Sequence, residues 1–392
     1  MTQRIEDSAM PSLRLACETH LAPYAMHAAD SAGRVHAEPE HAYRSPYQRD
    51  RDRIIHASAF RRLAHKTQVF IGDMGDYHRS RLTHTLEVAS IARTIARALQ
   101  LNEDLVEALA LLHDVGHPPF GHAGEDALDE CLAAHGGFNH NRQALRIAEL
   151  LEQRYAEFPG LNLTREVLSG QGTRAEKSFD ANSPVAAAPF PLLEVQAVDA
   201  ADSIAYDAHD ADDAVELGLL ELEELDAAAL WQHAADNIRR RYAALGQQQF
   251  RRSTVHEVID LLVSDLLRVS SQRIAARELH STHDARRADC RLIAPSDAIA
   301  AQKAELEQLL FHRVYRHGDV LEQRSFAAAA LHEMFARLMN RPQELSPKFA
   351  AVAAAEGLPR AAADYLSGMT DRFALEEHSR LIVPQKTSTD GR

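Results

Sequence analysis

"LTHTLEVASIARTIARALQLNEDLVEALALLHDVGHPPFGHAGE", residues 82–125, decides the fold class. In its first half His84, Val88, Ile91, Ile95 and Leu99 recur at helical spacing and share one face. Asn102, followed by the acids Glu103 and Asp104, is a helix start, and Leu105, Leu109 and Leu112 form the next buried stripe. The apolar pattern then stops. His113, Asp114, His117, His122 and Glu125 follow among glycines and prolines. A turn uses the Gly and Pro. It has no need of five groups that bind metals or move protons.

Helical patterning continues on both sides. "RSPYQRDRDRIIHASAFRRLAHKTQVF" starts at Arg44, "HNRQALRIAELLEQRY" at His140 and "LEVQAVDAADSIAYDAHDADD" at Leu193. Further helical stretches run to the C-terminal end, including "QKAELEQLLFHRVYRH" and "RAAADYLSGMTDRFALEEH". No run alternates as a strand would, and no internal repeat is present, so the expectation is an all-α fold. Residues 1–43 read as a loose arm, 44–215 as the catalytic core and 216–392 as a C-terminal helical region packed on it. Residues 169–189, rich in Gly, Ser and Pro, read as a loop.

The chain of 392 residues has a formal charge of −14, which argues against a general nucleic-acid or anionic-membrane binder. Cys17, Cys131 and Cys290 are far apart and form no CxxC pair. With no apolar leader and no spanning segment, the expectation is a soluble protein of the reduced cytoplasm, without a membrane partner.

Three elements then converge. His84 faces inward, with Arg81 three residues earlier on the same face. His113-Asp114 ends a buried helix; His209-Asp210 and His283-Asp284 lack that context. Asp199, Asp202, Tyr206 and Asp210, spaced three, four and four apart, make one helical stripe, either a solvated acidic face or a pocket wall. The tyrosine favours the wall. His84, His113, Asp114 and Asp202 together form a two-histidine, two-carboxylate set suited to a divalent ion, with coordination positions left open. His122 and Glu125, three apart, suit a proton donor and the carboxylate that orients it, with His117 between the two groups.

These strings resemble the HD superfamily of metal-dependent phosphohydrolases, with its H…HD…D pattern. More narrowly the chain is similar to bacterial deoxyguanosine triphosphate triphosphohydrolase-like proteins, through "FRRLAHKTQVF", "HDVGHPPFGHAGE", "AVDAADSIAYDAHD", "VYRH" and "GMTDRFALEEH". The resemblance implies an HD-domain helical fold with additional C-terminal helices. It also implies hydrolysis of a deoxynucleoside triphosphate to deoxynucleoside and inorganic triphosphate. It carries over His84, His113, Asp114 and Asp202 as ligands of Mn²⁺, Mg²⁺ or Fe²⁺. His122 and Glu125 become the catalytic pair, with His117 and His140 facing the triphosphate. Gln68 and Asp210 would meet the sugar 3′-OH, Tyr206 would exclude a 2′-OH, Arg81 would contact phosphate, and Tyr315 would lie near the nucleotide. A homo-oligomer is implied, with single-stranded DNA or a dNTP as a conceivable effector. Lys66 and the basic run Arg49, Arg51, Arg53, Arg61 and Arg62 are further phosphate candidates, although salt bridges to nearby acids account equally well for the run. The competing readings are a phosphohydrolase of nucleoside monophosphates or signalling nucleotides, and a non-catalytic nucleotide-binding or single-stranded-DNA-binding regulator.

Overall fold

Ser45 begins the first helix by a reciprocal cap. Its hydroxyl accepts from the Gln48 N–H at 3.1 Å, and Gln48 Oε1 accepts from the Ser45 N–H at 3.2 Å. The computed structural model describes residues 18–68, 79–177 and 189–382. Its first half contains α1 (Pro46–Ile55), α2 (Ser58–Arg62), α3 (Arg81–Ala98), α4 (Glu103–Leu112), α5 (Gly121–Cys131), α6 (His140–Arg146), α7 (Arg165–Lys177) and α8 (Leu193–Glu216). The second half contains α9 (Ala229–Arg241), α10 (Gln247–Ala275), α11 (Thr282–Arg286), α12 (Asp297–Leu310), α13 (Gly318–Asn340), α14 (Pro347–Glu356), α15 (Leu358–Ser367) and α16 (Asp371–Ile382). Among the described residues only isolated bridges occur outside helices and turns, and the fold is all-α. None of these helices is long and apolar enough to cross a membrane.

Two apolar cores hold the helices. The larger joins Ile54, Val88, Ile95, Leu105, Leu112, Val198, Trp231 and Leu266, and α3 packs against both α4 and α8 within it. Each such side chain contributes about 1.5–3 kcal/mol when taken out of water. This core continues to Leu306 and Val314, so apolar packing runs unbroken across residue 216. The smaller core joins Phe120 and Leu128 to Leu331, Phe335, Leu366 and Leu381. The first passage of the chain from the larger core to the smaller falls inside the turn between Val115 and Phe120.

Two regions differ from the sequence expectation. The described part of the arm is packed: Ala22, Ala25 and Met26 are buried, and the Met26 N–H donates to Glu194 Oε1 at 2.8 Å. Arg34 pairs with Asp50 of α1, which anchors the same segment. Residues 1–17, with Cys17, lie outside the described residues. The stretch 169–189 is also not all loop. Residues up to Lys177 belong to α7, and 178–188 lie outside the described residues. Gly170 misleads because it serves packing instead of a turn. A Cβ there would stand 2.5 Å from the Leu109 side chain and 2.9 Å from that of Val195.

Candidate active site

α3 supplies Arg81 and His84, the end of α4 supplies His113 and Asp114, and α8 supplies Asp199, Asp202 and Tyr206. His113 is the most telling of these. Its Nδ1–H donates to the Ala110 carbonyl at 2.5 Å, which leaves Nε2 with a lone pair. That buried Nε2 makes no hydrogen bond, and it lies 3.5 Å from Asp114 Oδ1 and 3.6 Å from Asp202 Oδ1. His84 Nε2 lies 3.2 Å from the same Asp202 oxygen. A lone pair and two carboxylate oxygens repel at this range unless a cation sits among them. Ligand atoms about 2.1 Å from one ion stand roughly 3–3.5 Å apart, so the spacing fits a divalent metal.

Both carboxylates stay ionised. Burial works against this, but the Arg81 guanidinium holds the Asp114 carboxyl below the usual carboxylate range. Burial likewise opposes the Asp202 charge, and Arg174 together with the hydrogen bond from His84 more than offsets it, keeping Asp202 well below its ordinary value. Burial lowers the His113 pKa and so favours the neutral imidazole that a metal requires.

The turn after α4 builds the second group. A Cβ on Gly116 would lie 2.0 Å from the His140 carbonyl, so only glycine lets the turn press on the start of α6. That approach stacks the His117 ring on His140, with centroids 3.8 Å apart. Phe120 then takes a left-handed conformation, φ 65°, to start α5. Its N–H donates to Asp371 Oδ1 at 3.0 Å, a tie to the C-terminal helices. On α5, His122 is 58% exposed at its side chain and faces Glu125 at 3.3 Å. Glu125 accepts from the backbone N–H of His140 and pairs with its Nδ1, each at 2.8 Å. Burial would raise its pKa, yet hydrogen bonds from His122 and His140 hold the carboxyl below its usual range.

A cavity of ≈ 410 Å³ opens over both groups, with Gln68, Arg81 and Tyr206 on its wall. Sequence reading passed over Asn141, Arg174 and Arg291, which also line it. Arg174 was hidden by the loop assignment, and Arg291 carries no local pattern. Asp210 and Tyr315 bond to each other beside Tyr206, not on the cavity wall; the Tyr315 hydroxyl donates to Asp210, and the Tyr206 and Tyr315 rings are 6.3 Å apart. Burial pushes the Asp210 carboxyl up to about 7. Lys66 is not a phosphate ligand. Its ammonium donates to the His117 carbonyl and, at 2.9 Å, to the Ser367 carbonyl, and burial lowers its pKa to about 7. Arg49 and Arg53 pair with Glu38 at 3.2 and 2.7 Å, and Arg51 with Glu107 at 3.4 Å, so this part of the basic run is structural.

Residues 81–207, which carry the whole H…HD…D set, match the HD domain, and residues 293–380 match the phosphohydrolase-associated domain. Fold and site therefore define a metal-dependent phosphohydrolase of the HD class, acting on nucleotides. A deoxyguanosinetriphosphate triphosphohydrolase-like protein of Thiobacillus denitrificans is 45% identical over 94% of this chain and 99% of its own. Proteins of the same description from Ralstonia nicotianae and Brucella anthropi are 43% and 44% identical, over 93% and 92% of this chain and 95% of each of theirs. The chain belongs to the deoxyguanosinetriphosphate triphosphohydrolase-like family.

Proposed function

We propose that the protein hydrolyses deoxynucleoside triphosphates to the deoxynucleoside and inorganic triphosphate. The observation that carries the site assignment is the unpartnered lone pair of His113 Nε2, set against two ionised carboxylates at the floor of the cavity. His84, His113, Asp114 and Asp202 hold a divalent ion, Mn²⁺, Mg²⁺ or Fe²⁺. When bound, that ion supplies positive charge for the α-phosphate and makes a water molecule more acidic. Zinc suits the set less well, because it more often keeps a closed four-coordinate site.

His122 donates a proton to the departing 5′ oxygen as the bond between the α-phosphorus and that oxygen breaks. Its exposed ring reaches into the cavity, and Glu125 behind it fixes its orientation. The water oxygen joins the phosphorus and releases one proton to solvent, balancing the proton that His122 gives, so the new oxygen ends in the triphosphate. His117 and His140 face the phosphates, and Arg81 adds positive charge beside them. Gln68 Oε1, buried without a hydrogen-bond partner on the cavity wall, takes the 3′-OH. Tyr206 packs on C2′ and leaves no room for a ribose hydroxyl, while Tyr315 sets Asp210 behind it.

The test is a panel of dNTPs and NTPs with Mn²⁺ or Mg²⁺, with products resolved by ion-exchange chromatography. Deoxynucleoside and intact triphosphate in equal amounts are expected. Pyrophosphate or orthophosphate as the primary product would contradict the proposal and favour another nucleotide phosphohydrolase.

A further inference from the structure

The two carboxylates of the metal set are built alike. Asp114 turns Oδ1 toward His113 Nε2 at 3.5 Å and gives Oδ2 to Arg81 Nη1 at 2.9 Å. Asp202 turns Oδ1 toward His84 Nε2 at 3.2 Å and His113 Nε2 at 3.6 Å, and gives Oδ2 to Arg174 Nη2 at 2.7 Å. Arg174 is itself held. Its Nε donates to Asp199 Oδ1 at 3.0 Å, and Asp199 Oδ2 accepts from Arg291 Nη2 at 2.9 Å. One guanidinium thus spans two carboxylates that stand a helical turn apart on α8, and a second guanidinium closes the row from the far side.

We propose that Arg174 is a positioning residue that aims Asp202 Oδ1 at the divalent ion by holding Oδ2, with Asp199 and Arg291 holding Arg174 in place. The inference rests on reading His84, His113, Asp114 and Asp202 as the metal ligands. A carboxylate with its second oxygen unanchored can rotate away, which costs the ion a well-aimed ligand oxygen. A planar guanidinium prevents this better than an ammonium, because its fork fixes direction as well as charge. Charge follows the same plan. Asp114, Asp199 and Asp202 are matched by Arg81, Arg174 and Arg291, so much of the ion's charge remains directed at an incoming phosphate.

Mn²⁺ affinity of the full-length protein tests this without relying on turnover. Free Mn²⁺ is followed by electron paramagnetic resonance in wild type, Arg174→Met, Arg174→Lys, Asp199→Asn and Asp202→Ala, with circular dichroism as the check on folding. Arg174→Met should weaken Mn²⁺ binding by roughly 10- to 100-fold, the usual effect of losing a partner behind a metal ligand. Arg174→Lys should recover part of this, and Asp199→Asn, which leaves both Arg174 and Asp202 in place, should weaken binding less but in the same direction. Wild-type Mn²⁺ affinity in folded Arg174→Met and in Asp199→Asn would overturn the proposal. If that unchanged affinity came with a raised KM for nucleoside triphosphate, Arg174 would be a substrate contact instead. Wild-type affinity in Asp202→Ala would instead overturn the underlying ligand assignment.

Discussion

Two groups of histidines and acids lie under one cavity, and either could be mistaken for a metal site. The donor atoms of His84, His113 and Asp202 lie within 4.8 Å of one another, and so do those of His117, Glu125 and His140. Their hydrogen bonding separates them. In the first group the His113 Nε2 lone pair has no partner and faces negative charge. In the second, Glu125 already binds both His122 and His140, and the His117 and His140 rings lie nearly parallel, 19° apart. Parallel rings aim their lone pairs side by side, which is a poor geometry for sharing one ion. On the proposed reading the first group takes a cation, whereas Glu125 of the second is held by its hydrogen bonds to His122 and His140. His117 spans the division, with Nε2 3.3 Å from Asp114 Oδ1.

If this division is right, the largest loss comes from the first group. Asp202→Ala should remove the metal and lower kcat/KM by about 10⁴-fold or more, equivalent to five or six kcal/mol at roughly 1.36 kcal/mol per decade. Helical content by circular dichroism should hardly change. The second group should behave differently. His122→Ala should keep the metal and lose roughly 10²–10⁴-fold in kcat, the share of general acid–base catalysis. Glu125→Gln should lose about as much. From the sequence Glu125 only orients His122, whereas in the structure it also fixes His140 at 2.8 Å. A Glu125→Gln enzyme within a few-fold of wild type would show that neither imidazole depends on it.

Tyr206→Ala probes the cavity that both groups share. It should narrow the preference for dGTP over GTP by roughly ten- to a hundred-fold in kcat/KM. Unchanged discrimination would remove the tyrosine from the sugar contact. The smallest effect concerns Asp210, whose folded pKa is raised to about 7 from an ordinary 3.8. The folded state keeps a proton there that the unfolded chain gives up. The stability it contributes is full below pH 3.8 and is lost as pH rises through 7. Urea unfolding of wild type should therefore weaken from pH 5 to pH 8 more than that of Asp210→Asn. Equal slopes would contradict the raised pKa.

The helices were legible wherever apolar spacing and caps agreed, as in α3 and in α4 with its Asn102 cap. The four proposed metal ligands were legible because each sits at the end of such a helix or on its marked face. Residues whose role depends on distant chain segments were not. Arg174 lay behind glycines that signal a turn but here allow α7 to approach Leu109. Lys66 looked like a free cation until Ser367, three hundred residues away in sequence, took its ammonium. The packing of Met26 on Glu194 is likewise a long-range contact with no local pattern.

Metal stoichiometry in a matched pair of variants tests the division most directly. Purified His113→Ala and His140→Ala would be loaded with Mn²⁺, desalted and analysed by inductively coupled plasma mass spectrometry beside wild type. The account predicts about one ion per chain in wild type and in His140→Ala, and almost none in His113→Ala. An ion retained in His113→Ala and lost in His140→Ala would contradict it and place the metal in the second group.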